Sequence, residues 1–113
     1  MLKRVYRLKK KYQFNYVYRV GKSVGAKYMI LYFCPSKNKN VKIGISVSKK
    51  VGNAVVRNRT KRRFREVVAP YLEKMKENFN VIVIAKESSK DADFVSLVAE
   101  FESLLKKIAL IKD

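Results

Sequence analysis

Residues 48–65 read SKKVGNAVVRNRTKRRFR, and this stretch joins a dense positive charge to a regular stripe of core-type side chains. Six of the nine residues from 57 to 65 are Lys or Arg. At about 100° per residue, one stripe about 120° wide collects the core-type residues, namely Val56, Thr60, Phe64, Val67, Val68 and Tyr71. The pattern predicts a helix that begins after an N-cap at Asn53, with Val56 as an alternative later start, and that ends or kinks near Pro70. One side would pack on a core and the other would face a polyanion.

The charge is distributed unevenly along the chain. Residues 1–65 contain twenty Lys or Arg and no Asp or Glu, whereas residues 66–113 contain seven basic and nine acidic side chains. The two parts carry formal charges of +20 and −2, which together give the net charge of +18. A region without carboxylates repels itself unless a partner neutralises it. The composition therefore predicts an anionic macromolecule as partner, and a structured RNA fits best.

Length and composition are typical of a small protein with one core. With 113 residues, 48% of them hydrophobic, the chain is predicted to form a single domain over residues 1–113. Cys34 is the only cysteine, which excludes an intrachain disulfide and favours a reducing compartment. No apolar run approaches the roughly 18–20 residues of a membrane span, and no apolar secretion segment follows the basic N-terminus. We therefore expect a cytoplasmic protein.

Periodicity predicts the elements that precede the basic helix. A short helix is expected over residues 12–20, with Gly21 as its stop. Residues 22–26 have the composition of a turn, and residues 27–34 are rich in strand-forming side chains. Residues 35–40 contain Pro, Ser and Asn, which suits a hairpin connection to the next strand. The pattern leaves open which face of the strand over 27–34 is exposed.

Two strands and a last helix complete the expected fold. Residues 41–48 alternate as a strand with a single core-facing side, and residues 79–85 form the nearly continuous apolar run of an interior strand. The final helix carries its apolar residues at helical spacing: Phe94, Leu97, Val98, Phe101, Leu104, Leu105 and Ile108. This order predicts an α+β fold, a two-layer sandwich of a small mixed sheet with packed helices.

Residue types that carry catalysis are scarce. The chain has no histidine, the commonest general base and metal ligand, and one cysteine excludes a cysteine cluster for zinc. Glu66, Glu73 and Glu77 recur at helical spacing, which is typical of a solvated helix face. The sequence therefore predicts strong binding to a polyanion, with no catalytic residue and no metal site in this chain.

Aromatic residues and one amide add to the binding features. Phe14, Tyr18 and Tyr32 are of the type that stacks on unpaired bases in RNA-binding proteins, each stack being worth roughly 1–3 kcal/mol. The alternative is that these rings fill the core. Asn58, between Arg57 and Arg59, is suited to hydrogen-bond a sugar or a base.

Residues 47–62, VSKKVGNAVVRNRTKR, resemble the signature of the bacterial ribonuclease P protein component, whose Arg-Asn-Arg helix is its hallmark. The resemblance runs from about Arg4 to Ala85, and the C-terminal helix agrees in type only. Upstream positions similar to the family's first helix and its approach are Arg7, Leu8, Lys9, Lys10, Phe14, Val17, Tyr18 and Gly21. The signature is far more specific than a generic basic helix.

The resemblance implies a function and a set of partners. Family members are protein subunits of a ribonucleoprotein that removes the 5′ leader from precursor tRNA, and a large RNA is the catalyst. The partners would be the ribonuclease P catalytic RNA and precursor tRNA, with no membrane and no small-molecule substrate. Mg²⁺ would act at the RNA active site and would not be bound tightly by this chain. The implied fold is an α+β sandwich with a left-handed crossover.

The resemblance also implies two sets of site residues. Residues expected to bind the catalytic RNA are Lys49, Lys50, Asn53, Arg57, Asn58, Arg59, Lys61, Arg62 and Arg65. Residues expected to line the cleft for the single-stranded leader are Phe14, Tyr18 and Tyr32, with Lys86 at its rim.

Two other functions compete with this interpretation. A ribosomal or other structural RNA-binding protein without an enzyme partner would share the basic helix and the aromatic residues. A DNA-binding helix protein would share the charge, but the sequence shows no dimerisation element.

Overall fold

A computed structural model of the chain describes residues 3–112, which form an α+β fold as predicted. The strands are β1 (Lys22–Gly25), β2 (Met29–Pro35), β3 (Lys42–Val47) and β4 (Phe79–Ala85). The α-helices are α1 (Lys11–Val20), α2 (Ala54–Val68) and α3 (Phe94–Lys107). Short 3₁₀ turns cover Arg4–Tyr6, Lys49–Val51, Ala69–Lys74 and Glu87–Asp91.

The four strands form one mixed sheet in the order β1-β2-β4-β3. β4 pairs antiparallel with β2 and parallel with β3. Its side chains are buried on both faces, as the apolar run predicts, because Val81 and Val83 join one hydrophobic cluster and Ile82 joins another. The connection between the parallel strands β3 and β4 contains α2. Its left hand, which the family resemblance implies, stays a prediction.

The two faces of the sheet carry different helices. α2 and α3 pack on the face that holds Val83, and Phe64 and Phe101 from these helices are 1% and 0% exposed. α1 packs on the opposite face, where Val17 belongs to the same cluster as Ile82. We call these the helix-pair face and the α1 face. Because α1 covers only part of its face, the remainder is open to a ligand.

The prediction of a turn over residues 22–26 is wrong, because Lys22–Gly25 form the edge strand β1. β1 pairs antiparallel with β2, with Ser23 opposite Tyr32. Only Val24 of this strand is partly buried, so the sequence shows no apolar alternation there. The strand forms because the edge of β2 offers backbone groups that need hydrogen-bond partners.

The predicted hairpin between the strands now labelled β2 and β3 is also wrong, because β4 lies between them. The loop over residues 36–41 instead crosses the start of β4. Ser36 N donates to Asn78 O at 2.9 Å, and Asn38 Nδ2 donates to Asn80 Oδ1 at 2.7 Å. The loop is therefore held against the start of β4.

The strand over 41–48 was expected to have a single core-facing side, and β3 differs at Gly44. Val41 and Ile43 are buried as predicted. Gly44 is buried on the other face, beneath the ring of Phe14. A Cβ at Gly44 would lie 2.5 Å from Phe14 Cζ, far inside van der Waals contact. Glycine is therefore what allows α1 to approach β3.

The start and end of α2 follow the sequence prediction. Asn53 Oδ1 accepts a hydrogen bond from Val56 N at 3.0 Å, which is the predicted N-cap. Gly52 precedes it with φ of 157°, a conformation that side chains resist. Pro70 lies in the first turn of the 3₁₀ segment that follows the helix. The buried residues of α2 are Thr60, Phe64, Val67 and Val68.

Candidate nucleic-acid interface

The predicted polyanion-binding residues of α2 lie on the arc that turns away from the core. We call this set, together with the turn before it, the charged arc. Asn58, Arg59 and Arg62 are exposed, whereas Arg57, Lys61 and Arg65 are partly buried beside the core stripe. Lys49 and Lys50 are exposed in the 3₁₀ turn that leads to the helix. The structure thus brings these side chains to one continuous surface.

The positive charge of this arc is not neutralised within the part of the chain that the structure describes. Ion pairs among residues 3–112 include Lys106–Glu102 at 3.7 Å and Lys112–Glu77 at 3.0 Å. Both lie outside the charged arc. Unpaired like charges on one surface create a strong local potential that favours an anionic partner.

Three polar residues in and around α2 have structural roles as well. Asn53 caps the helix, and Arg57 Nη1 donates to Gly52 O at 3.3 Å, so both hold the turn before α2. Arg63 Nη2 donates to Ala92 O at 2.7 Å and ties α2 to the segment before α3. Arg63 is therefore an anchor, whereas its neighbour Arg62 points into solvent.

Three residues of the arc form a row toward α1. Arg57, Lys61 and Arg65 recur every four residues along the border of the core stripe. Arg65 lines a small hollow of about 110 Å³ that Phe14 of α1 also lines. The row therefore leads from the N-terminus of α2 to the ring of Phe14.

The three aromatic residues that the sequence singles out lie together on the α1 face. Tyr32, Ile82 and Gly44 are neighbours across β2, β4 and β3. Phe14 lies over Gly44, and the Tyr18 ring meets the Tyr32 ring edge-on with centroids 5.1 Å apart. Tyr18 is 37% exposed, and the other two rings are partly buried. We call this arrangement the aromatic cleft.

The same arrangement shows which face of β2 adjoins the cleft. Tyr32 belongs to the cluster with Val17 on the α1 face. Met29 and Leu31 belong to the core on the helix-pair face. Cys34 also faces α1 and is buried, and burial raises the pKa of its thiol. A raised pKa leaves the thiol protonated and unreactive at neutral pH.

Lys86 lies at the far end of the same face. It follows β4, four residues beyond Ile82, which corresponds to about 13 Å along a strand. Its Nζ donates to Ala26 O at 2.6 Å in the turn between β1 and β2. Glu100 of α3 holds this turn, accepting from Lys27 N at 3.0 Å and Tyr28 N at 2.8 Å. Sequence reasoning missed Glu100, because nothing local to α3 signals a contact more than seventy residues away.

The basic N-terminal segment lies along the edge of β3, between α2 and α1. Leu8 is buried, and its N–H donates to Ile43 O at 2.9 Å. Partial desolvation, followed by the charges of neighbouring cations, lowers the pKa of Lys9; these cations are Arg4, Arg7, Lys42 and Lys10. Positive charge is therefore concentrated around the start of α1 and the adjacent edge of β3.

Sequence reasoning also missed Tyr12 and Tyr16, which stand on the outer side of α1. They are 69% and 48% exposed. Their i, i+4 spacing on a predicted helix, on the side away from Phe14 and Val17, was the signal that could have identified them.

The described residues offer no donor set for a resident metal. Between residues 3 and 112, no three His, Cys, Asp or Glu side chains lie close enough together to hold a metal ion. No helix in the same range is long and apolar enough to cross a membrane.

Comparison with known proteins gives a consistent set of relatives. The family model described as Ribonuclease P matches residues 2–109. The ribonuclease P protein component of Clostridium botulinum (strain 657 / Type Ba4) is 39% identical over 105 residues, which cover 92% of this chain and 95% of that protein. That of Clostridioides difficile (strain 630) is 41% identical over 101 residues, covering 88% and 89%.

Solved structures agree with the sequence relatives. The Staphylococcus aureus RNase P protein superposes with a TM-score of 0.85 at 35% identity, covering 95% of this chain and 98% of that one. The Thermotoga maritima RNase P protein gives a TM-score of 0.81 at 27% identity, covering 89% and 96%. The chain therefore belongs to the bacterial ribonuclease P protein family and is a protein component of the endoribonuclease that processes tRNA 5′ ends.

Proposed function

We propose that this subunit binds the catalytic RNA of ribonuclease P through the charged arc and the single-stranded 5′ leader of precursor tRNA through the aromatic cleft. The observation that carries the proposal is the meeting of Tyr18 and Tyr32 in a cleft that the basic row of α2 adjoins. A folded RNA on α2 and an unpaired strand on α1 would then lie next to each other.

The charged arc suits the backbone of a folded RNA. Arg59 and Arg62 are exposed, and their planar guanidinium groups suit bidentate contacts to phosphate. Asn58 precedes Arg59 in the sequence and is also exposed, and its amide is able to bind a 2′-hydroxyl or a base edge. Lys49, Lys50 and Asn53 would extend this contact to the turn before α2, and Lys61 and Arg65 would extend it toward α1.

The aromatic cleft suits unpaired nucleotides. Bases of a single strand have free faces, and rings such as those of Tyr18 and Tyr32 stack on them. Phe14 closes the cleft over β3, and Lys86 offers an ammonium group at the far end. One of its three N–H donors is used by Ala26, which leaves two for a phosphate.

Catalysis would belong to the RNA partner. Phosphoryl transfer on RNA commonly uses bound Mg²⁺ to stabilise the attacking and leaving oxygens. The described residues provide no carboxylate cluster for such ions, so we assign Mg²⁺ to the RNA. The contribution of this chain would be to hold the leader and to lower the repulsion between two polyanions.

Reconstitution tests the proposal directly. The chain is mixed with a bacterial ribonuclease P RNA and a precursor tRNA at low Mg²⁺, and leader removal is followed over time. We expect faster cleavage than with the RNA alone, because the charged arc would replace part of the cation requirement. An unchanged rate would favour the alternative, a structural RNA-binding protein without an enzyme partner.

Substitution of Tyr18 tests whether the aromatic cleft binds the leader. Replacing Tyr18 by Ala should weaken binding of precursor tRNA to the holoenzyme about tenfold, the contribution of one stacked base, and should leave mature tRNA nearly unaffected. Tyr18→Phe keeps the ring and is the matched control, so it should bind like the wild type. Equal losses on precursor and mature tRNA would show that the ring serves folding instead.

A further inference from the structure

The outer side of α1 carries two exposed tyrosines that the proposed function does not use. Tyr12 is 69% exposed and Tyr16 is 48% exposed. They stand about one turn apart, so both lie on the same side of the helix. Adjacent exposed rings on a basic surface are typical of platforms that stack unpaired bases.

These rings border a groove on the side of α1 that faces away from the aromatic cleft. The groove has a volume of about 420 Å³ and is lined by Tyr12, Gln13, Asn15, Tyr16, Arg19 and Asn80. We call it the outer groove. This volume lies within the range of about 300–1,000 Å³ that is usual for sites of small ligands, so it has room for a nucleotide.

The sheet register places the outer groove relative to the cleft. Asn80 faces the same side of β4 as Ile82, two positions earlier, and it stands beside Cys34 and Lys42 of the flanking strands. α1 crosses the sheet at Ile82, where Val17 is packed. The helix therefore divides the α1 face, with the aromatic cleft on one side and the outer groove on the other.

The walls of the groove are held in place by hydrogen bonds. Gln13 Oε1 accepts from Lys9 N at 3.1 Å and from Lys10 N at 2.9 Å, which fixes the start of α1. Asn38 Nδ2 donates to Asn80 Oδ1 at 2.7 Å. The Nδ2 group of Asn80 has no partner among residues 3–112, so its two N–H donors remain for a ligand.

The charge of the groove favours an anion. The guanidinium carbon of Arg19 lies 5.7 Å from the centroid of the Tyr16 ring, so the cation and the ring are presented together. No carboxylate is among the lining residues, and every charged side chain from residue 3 to residue 65 is basic. A ligand with a flat ring next to a phosphate complements this surface.

We propose that the outer groove binds leader nucleotides upstream of those in the aromatic cleft, with bases on Tyr12 and Tyr16 and a phosphate on Arg19. The inference rests on the proposed function, because it takes the leader as the occupant of the cleft. Tyrosine rings need free base faces, which a leader offers and the paired segments of a folded RNA do not. The width of α1, about 10 Å, separates the two sites, so one strand is able to reach both.

Two precursor tRNAs test this extension. One carries a leader of a few nucleotides, and the other carries the same leader extended upstream by unpaired adenosines. We expect the wild-type holoenzyme to bind the extended precursor more tightly. Tyr12→Ala/Tyr16→Ala should weaken binding of the extended precursor about tenfold and abolish the advantage of the longer leader. Tyr16→Phe keeps the stacking ring and should retain the advantage.

The controls separate the possible failures. Phe94 of α3 is 42% exposed on the far side of the sheet, so Phe94→Ala removes a comparable ring and should keep the advantage. Circular dichroism and urea unfolding check that each variant is folded.

Equal losses of affinity for both precursors and for mature tRNA would identify the catalytic RNA as the occupant and overturn the inference. A wild-type holoenzyme that binds both precursors equally tightly would also overturn it. If Tyr18→Ala weakens both precursors while the double variant changes neither, this inference fails and the proposed function stands. If Tyr18→Ala changes neither precursor, the proposed function itself fails.

Discussion

At the scale of single residues, Gly44 decides how closely α1 approaches the sheet. Phe14 Cζ and Cε2 would lie 2.5 and 2.6 Å from a Cβ at this position. The ring rests on the backbone of β3 because no side chain stands there. Phe14 forms a wall of the aromatic cleft, and its position therefore depends on the absence of a side chain at Gly44.

Gly44→Ala should destabilise the fold by about 1–3 kcal/mol, the usual range for overpacking, and should displace the Phe14 ring. Gly25→Ala is the matched control, since its Cβ would meet Ile30 Cγ1 at 3.5 Å, an ordinary contact. Urea unfolding measures both variants. A Gly44→Ala variant as stable as the Gly25→Ala variant would contradict the packing described here.

Asp93, the N-cap of α3, gives a pH dependence at the same scale. Hydrogen bonds from the hydroxyl and the backbone N–H of Ser96 lower the pKa of Asp93 below its ordinary value of 3.8. A depressed carboxylate stabilises the fold above its unfolded pKa and loses that effect as the pH falls through the folded pKa. The wild type should therefore be more stable than Asp93→Ala at neutral pH, and the gap should narrow below about pH 4.

Urea unfolding of both proteins over a series of pH values measures this gap. Asp93→Asn keeps an acceptor that does not titrate, so its difference from Asp93→Ala should stay constant with pH. A gap between wild type and Asp93→Ala that is equally wide at low pH would show that the carboxylate charge plays no part in the cap.

At the scale of elements, the adjacent residues Arg62 and Arg63 of α2 lie in different surroundings. Arg63 ties the helix to Ala92, whereas Arg62 projects into solvent without a partner in residues 3–112. Adjacent side chains of the helix thus face the protein and the solvent, because successive residues differ in direction by about 100°.

The pair Arg62→Ala and Arg63→Ala tests whether the two residues also differ in function. Arg62→Ala should weaken binding to the catalytic RNA and should make the slope of log K against log salt shallower by about 0.7–0.9 for one lost phosphate contact, with little change in stability. Arg63→Ala should lower the free energy of unfolding by about 1–3 kcal/mol, because Ala92 O loses a charged donor, and should change the slope less. Titrations at several salt concentrations measure the first quantity and urea unfolding measures the second. An unchanged slope for Arg62→Ala would count against a phosphate contact there.

At the scale of the whole molecule, the two halves of the sequence differ in charge but share one core. Residues 1–65 carry +20 and supply α1, three strands and most of α2, while residues 66–113 carry −2 and supply the end of α2, β4 and α3. The folded chain therefore gathers like charges that the unfolded chain holds further apart. This repulsion opposes folding when no partner is bound.

Added sodium chloride should consequently stabilise the free subunit. Salt at about 0.5 M shortens the Debye length well below its value of about 10 Å at 0.1 M, which screens the repulsion. The urea midpoint should rise between low and high salt, and the rise should be smaller when the catalytic RNA is bound. A midpoint that falls with sodium chloride would mean that attractive pairs dominate instead.

The sequence predicted correctly those helices and strands whose buried residues follow a regular spacing within the segment itself. α2, α3 and β4 were found because their apolar spacing, caps and terminal proline are local signals. β1 was missed because an exposed edge strand with one partly buried residue has no such signal. The hairpin between β2 and β3 was wrong because pairing is decided by burial across the whole sheet. The nearly continuous apolar run of β4 is typical of an interior strand with a neighbouring strand at each edge, and this was the available clue.

The candidate site also contains some features that the sequence predicts and others that it does not. The charged arc and the three cleft aromatics follow from residue type, helical spacing and the family resemblance. The anchoring of Lys86 does not, because its bond to Ala26 spans 60 positions and the bonds by which Glu100 holds that turn span 73 and 72. The close contact of Phe14 with Gly44 was hidden by the assumption that one face of β3 is solvated. Long-range contacts of this kind are settled only when the sheet is assembled.

β4 connects the two faces of the molecule in a way that bears on its cooperativity. Val81 and Val83 anchor one hydrophobic cluster, and Ile82 anchors the other. An opening event that frees the backbone amides of β4 must therefore disrupt both clusters. Amide hydrogen exchange in this strand should be among the slowest in the chain. A ligand on either face should slow it further, so an RNA held by α2 would also protect the strand that carries the floor of the aromatic cleft.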